Sequence, residues 1–168
     1  MNKLFIITGP AGVGKTTISN KLASSLSKSV LIEGDTVYNF FVGGRISPWK
    51  ENAPIELFWE NCIYLINSYL EKGYDVVFNY IISDEDLKLL KEKFKNYKIV
   101  FKVLLTDENT LLERDKEREE DCQMKERCIV LLNSFKNKNY NAQNILDTTN
   151  LSVNETIDII ENDNRFIL

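Results

Sequence analysis

Residues 4–17 read LFIITGPAGVGKTT, a short apolar run that ends in three closely spaced glycines and a lysine. The stretch matches G-x-x-x-x-G-K-[ST], with Gly9, Gly14, Lys15 and Thr16 at the fixed positions and Gly12 as a further flexible point. Each residue type has a physical reason to be there. Several backbone N–H groups meet an anion's oxygens at once only when the loop curls so tightly that side chains would obstruct it. The helix that follows adds its unpaired N–H groups and the positive end of its dipole. A lysine brings a mobile point charge to the β and γ phosphates, and a following Thr offers a hydroxyl to Mg²⁺. The run Gly9, Pro10, Ala11, Gly12, Val13, Gly14, Lys15, Thr16 and Thr17 is therefore expected to cradle a nucleoside triphosphate. Its position after a strand and ahead of Ile18-x-x-Lys21-Leu22-Ala23 is the setting such a cradle requires.

A cradle of this kind needs a parallel sheet behind it, and the rest of the chain supplies the pattern. Apolar runs near 3–8, 29–33, 75–82, 98–105 and 144–147 alternate with helix-length amphipathic stretches near 15–27, 54–72, 84–95, 107–118, 121–137 and 153–162. Alternation of this sort predicts βαβ units. Ile6-Ile7 and Val76-Val77-Phe78 are apolar on consecutive residues, as in strands covered on both faces. Leu57, Phe58, Cys62, Leu65, Ile66, Tyr69 and Leu70 recur at helical spacing. Ser83 before Asp84-Glu85-Asp86, and Ser152-x-x-Glu155, are expected helix starts. Gly43, Gly44, Pro48 and Pro54 mark 42–54 as a loop. With 168 residues, one domain is expected.

Composition removes several function classes. The chain has no histidine, so Ser-His-Asp, Cys-His and His-ligated metal chemistry are excluded and a general base must be a carboxylate or a lysine. Cys62, Cys122 and Cys128 contain no C-x-x-C pair, which fits reduced thiols better than a disulfide framework or a zinc site. The net charge of −4 gives no long-range pull toward a nucleic acid polymer or an anionic membrane. No apolar stretch approaches the roughly 18 residues that cross a bilayer, and a cytoplasmic location is expected.

The phosphate loop, together with Leu31-Ile32-Glu33-Gly34-Asp35, Leu111-Leu112-Glu113-Arg114 with Arg118, and Glu126-Arg127-Cys128 through Ile145 to Ser152, resembles the small P-loop kinases and phosphotransferases. That group includes gluconate kinase, shikimate kinase and chloramphenicol phosphotransferase, and the chain looks most like its tunicamycin-resistance type. The resemblance implies an α/β three-layer fold with five parallel strands in the order 2-3-1-4-5, and a helical lid over about 114–127. Ligands in such sheets sit at the carboxyl ends of the strands. Asp35, ending the second strand, is then placed to take a proton from an acceptor hydroxyl or to orient Mg²⁺ with Thr16; capping a helix at Val37-Tyr38 is its structural alternative. Arg114 and Arg118, one helical turn apart, are candidates to neutralise the transferring phosphate, against a plainer role in surface pairs with Glu117, Glu119, Glu120 and Asp121. Arg127 is a third candidate beside Arg114 and Arg118 and, with Asp35, Asn79 and Arg45, a candidate for contact with the acceptor; Arg45, with Tyr38, Phe41 and Trp49 nearby, is the one expected to bind a polar or anionic molecule. Asn79 departs from the pattern: an acid often stands at that strand end, and an amide offers hydrogen bonds without charge. Related folds hold the base near the turn Thr148-Thr149-Asn150.

The expected activity is transfer of the γ-phosphate of ATP, with Mg²⁺, to a hydroxyl of a small molecule by a monomer or homodimer. A nucleoside or nucleotide kinase is the alternative among enzymes. A protein that binds nucleotide and sequesters a toxic compound without turnover is the alternative outside them.

Overall fold

The structure is a computed structural model that describes residues 2–117, 120 and 123–163. Five parallel strands, β1 (Lys3–Thr8), β2 (Ser29–Glu33), β3 (Asp75–Asn79), β4 (Lys98–Leu105) and β5 (Ile145–Asp147), form one sheet in the order β2-β3-β1-β4-β5. The helices between them are α1 (Lys15–Ser25), α2 (Gly34–Tyr38), α3 (Ile55–Glu71), α4 (Asp84–Lys93), α5 (Glu108–Lys116), α6 (Glu126–Lys136) and α7 (Val153–Glu161). The strand order agrees with the one the resemblance implies.

β1 shows why its apolar residues are consecutive. Successive side chains of a strand point to opposite faces, and both faces are covered. Leu4 and Ile6 pack with Phe58, Cys62 and Ile66 of α3 and Leu90 of α4. Phe5 and Ile7 pack with Ile18 and Leu22 of α1, Leu132 of α6 and Ile157 and Ile160 of α7. All four β1 side chains are fully buried, each contributing roughly 1.5–3 kcal/mol from area removed from water. Both expected helix starts form: Ser152 closes the expected capping box with Glu155, and Ser83, expected as a simple cap, also closes one with Asp86.

Two boundaries and one added element depart from the sequence pattern for a visible reason. β3 ends at Asn79 because the chain beyond it leaves the ladder: the Tyr80 amide still bonds the Ile7 carbonyl, and the Ile82 amide goes to the Thr8 hydroxyl at 3.0 Å. α6 starts at Glu126, since the Met124 and Lys125 amides donate to the buried Asp115 carboxylate at 2.9 and 2.7 Å and Lys125 has a φ of 49°. α2 is an added short helix directly after β2. Asp35 lies inside it, in the first turn, while the N-cap position is Glu33, so the capping role weighed for Asp35 is not the one adopted.

One buried ion pair interrupts the apolar layers. Lys102 of β4 and Asp163, just beyond α7, are both buried and form a salt bridge, and the Lys102 ammonium also donates to the Gln143 carbonyl at 2.8 Å. Removing one partner strands a charge out of water. Asp163→Ala is expected to lower unfolding free energy by roughly 3 kcal/mol or more in urea titrations, whereas the pair Lys102→Met with Asp163→Leu recovers most of that loss. Burial also pushes the Cys62 thiol up from 9.0 to about 12. In a Cys122→Ser background, alkylation at about pH 8 should therefore modify Cys62 and the equally buried Cys128 only after unfolding.

Candidate functional site

The loop between β1 and α1 is fixed by contacts that only its own residue types permit. Gly9, Gly12 and Gly14 have φ values of 147°, 83° and 99°, a region L side chains rarely adopt. A Cβ on Gly9 would stand 2.4 Å from the Leu104 carbonyl oxygen. Val13 is buried in the core and pins the crest of the loop. The Lys15 ammonium donates inward to the Gly9 and Pro10 carbonyls at 3.0 and 2.9 Å, which keeps the loop curled around it. α1 has no side-chain cap, so no capping side chain takes up its first-turn amides, and Thr16 and Thr17 are exposed and line the cavity. Curled amides, an ammonium and an exposed hydroxyl next to it form the donor set that a triphosphate and its Mg²⁺ need.

This loop lines a cavity of about 700 Å³. At the β2–β3 end the cavity is bounded by Asp35, Trp49, Asn79 and Ile81, and at the β5 end by Thr148, Leu151, Val153 and Thr156. Asp35 is exposed into it and makes no side-chain hydrogen bond among the described residues. Asn79 is buried, and its amide nitrogen faces Glu33 Oε1 at 3.4 Å. Glu33, the last residue of β2, stands opposite Asn79 in register. Gly34 lets the chain turn into α2 here: a Cβ on it would meet the Tyr80 ring at 2.5 Å. Burial, reinforced by the charge of Asp35, pushes the Tyr80 phenol upward, so this ring stays neutral beside the carboxylate.

α5 carries Arg114 to the opposite rim. Its N-cap Asp107 accepts from the Thr110 amide at 2.8 Å, the largest reason its carboxyl is held below the usual range. The Asp107 amide in turn donates to the Thr149 hydroxyl, tying α5 to the turn after β5. Arg114 lines the cavity, and its guanidinium donates to the Val13 carbonyl at 3.1 Å and to the Thr148 carbonyl at 3.2 Å. It thus joins the phosphate loop to the end of β5.

The other candidates separate. Arg127, at the start of α6, lies over the Trp49 ring with its guanidinium carbon 4.6 Å from the centroid. Arg45 lies over Tyr38 at 5.8 Å and donates to Asn39 Oδ1 at 3.1 Å; it is not among the residues lining the cavity. Arg118 lies outside the described residues, as do Glu119, Asp121 and Cys122 within the expected lid. Reasoning from sequence also passed over Glu33, Ile81, Met124 and Leu151. The register of two strand ends was a usable signal for Glu33, whereas the other three have no local motif.

Comparison with known proteins now places the chain. A family model described as an AAA domain matches residues 6–130, well over half of the sequence. The chain belongs to this AAA-domain family. Solved structures resemble it over nearly its full length. The tunicamycin resistance protein of Deinococcus radiodurans superposes with a TM-score of 0.69 at 20% identity, covering 95% of this chain and 94% of that one. A gluconokinase from Sinorhizobium meliloti gives 0.68 at 15% identity, over 95% and 91%. A sugar kinase from Janibacter sp. gives 0.64 at 14% identity, over 96% and 91%. No curated protein sequence matches. The fold is that of the small P-loop kinases.

Gly9 and Gly43 provide an internal contrast, because a Cβ on Gly43 meets nothing within 4 Å. Gly9→Ala is expected to cost roughly 2 kcal/mol or more from backbone strain and overlap, and Gly43→Ala less than about 0.5, in matched urea titrations. Equal effects would contradict this loop geometry.

Proposed function

We propose that the protein is an ATP- and Mg²⁺-dependent phosphotransferase that moves the γ-phosphate to a hydroxyl of a small molecule. The observation that carries this reading is the exposed Asp35 carboxylate across one cavity from the phosphate loop, with no hydrogen-bond partner holding it back among the described residues. The loop amides and Lys15 bind and orient the phosphates. Thr16 would hold the metal, which would supply positive charge to the phosphate oxygens. Asp35 accepts the acceptor's hydroxyl proton, since the chain contains no histidine to do so. Arg114 acts as a positioning residue that keeps the loop against β5. Arg118 remains a candidate for direct contact with the phosphate.

The named activities of the kinase neighbours support the reaction class, and the resistance protein supports including tunicamycin among the acceptors tried. Asn79 favours one competing reading, a nucleotide-dependent binder without turnover, because it leaves that strand end without a charge. The two are separated by measuring ADP release against sugars, nucleosides, nucleotides and antibiotics. At least one acceptor should be phosphorylated, with transfer falling about 100-fold or more in Asp35→Asn, and ATP affinity measured separately to tell lost chemistry from lost nucleotide. Binding of ATP with no acceptor modified would shift the conclusion to sequestration.

A further inference from the structure

The contact between Arg127 and Trp49 depends on the direction in which α6 begins, and that direction is set from another helix. α6 has no side-chain cap of its own. The two residues ahead of it are held from α5 instead: the Asp115 carboxylate, 2% exposed, accepts from the Met124 amide at 2.9 Å and from the Lys125 amide at 2.7 Å. The same two residues supply the carbonyls on which the first turn is built, accepting from the Arg127 amide at 3.0 Å and the Cys128 amide at 3.1 Å. Lys125 sits there with a φ of 49°, a conformation that a residue with a side chain keeps only when its surroundings hold it. Asp115 is what holds it.

The other side of Asp115 meets the phosphate loop. A Cβ on Gly12 would stand 3.4 Å from Leu111 Cδ1 and 3.8 Å from Asp115 Cβ, so the loop rests on this face of α5. The preceding residue, Arg114, binds the Val13 carbonyl. One line of contacts therefore runs from the phosphate loop through α5 and the turn at 124–125 to Arg127 and across to the Trp49 ring. Met124 and Trp49, along this line, both line the cavity, whereas Asp115 does not.

We propose that Asp115 is a positioning residue: it fixes the start of α6, thereby places Arg127 over Trp49, and makes that contact respond to occupation of the phosphate loop. The placement stands on the protein alone. The response rests on the nucleotide site of the phosphotransferase reading. Coupling of this kind is carried by packed side chains and hydrogen bonds in unbroken contact, and it shows as non-additivity between the residues that carry it.

The Trp49 ring is the reporter. The sequence has two tryptophans, so 5-fluorotryptophan in a Trp59→Phe chain labels Trp49 alone, and its fluorine resonance is followed. Arg127→Gln removes the cation and defines the uncovered ring. Asp115→Asn keeps the side chain's shape but loses its charge and can turn an NH₂ group toward the donor amides. It should move the resonance at least roughly half way to the Arg127→Gln position, with the double variant going no further. Asp163→Ala, which removes a buried carboxylate elsewhere, should leave the resonance in place and so separates positioning from loss of stability. Saturating ATP with Mg²⁺ should shift the resonance when Asp115 is present, and at least about half of that shift should be lost in Asp115→Asn. Hydrogen exchange on the unmodified chain needs no variant: the Met124 and Lys125 amides, which lie ahead of the helix, should exchange at least about tenfold more slowly than open chain. A resonance unmoved by Asp115→Asn or moved equally by Asp163→Ala, additive shifts in the double variant, an ATP shift that is absent or indifferent to Asp115→Asn, or unprotected amides at 124 and 125 would each overturn the proposal. Failure of ATP to bind the unmodified chain would instead count against the phosphotransferase reading, and the ligand-free resonances would still decide the placement.

Discussion

The approach of Gly9 to the Leu104 carbonyl is the contact on which the rest of the site depends. At that point β1 ends and its neighbour β4 is still running, so the chain must bend within the width of a backbone. Only a residue without Cβ passes there, and only left-handed backbone at Gly12 and Gly14 returns the chain to start α1. The bend is stabilised from both sides. Val13 is drawn into the core below, while Lys15 from α1 and Arg114 from α5 take up carbonyls that the curl would otherwise leave without donors. Two cations hold the loop's carbonyls and so leave its amides to face the cavity.

Because the loop sits at the centre of the sheet, its neighbours divide the cavity by strand order. β3 and β2 lie to one side and lead to Asn79 and Asp35; β4 and β5 lie to the other and lead to Arg114 and Thr148. A parallel sheet places every strand's carboxyl end on this one edge, which is why residues distant in sequence face each other across it. The polar ties at the β5 end, Thr148 to Leu105 and Thr149 to Asp107, hold α5 in place and with it Arg114. Asp107 contributes to that end while ionised; its carboxyl is held low, so the contribution is present above the ordinary carboxylate range and is lost as pH falls through the lowered value.

Much of this was legible in the sequence, and what was not has physical reasons. The cradle was legible because loop curvature demands glycine at fixed spacing, a local constraint. The double-sided burial of β1 and β3 was legible because consecutive apolar residues have no other use in a short strand. The strand order came from the resemblance, not from periodicity. α2 was hidden because five residues are too few to show a helical period. The late start of α6 depends on Asp115, ten residues before Lys125, taking amides that a helix would have used. Arg45 sat at the expected position in the chain yet faces Tyr38, since loop sequence does not dictate side-chain direction. The Lys102–Asp163 pair joins residues far apart in the chain, and neither residue carries a local mark of burial.

Equilibrium binding of ATP with Mg²⁺ to the unmodified chain and to Lys15→Met tests most directly whether the loop holds a triphosphate. Saturable, one-to-one binding is predicted, weakening at least about tenfold in the variant, as expected for loss of a charged contact, while the variant still unfolds in urea through a single cooperative transition. Absence of saturable binding, or equal affinity in the two proteins, would contradict a phosphate cradle between β1 and α1.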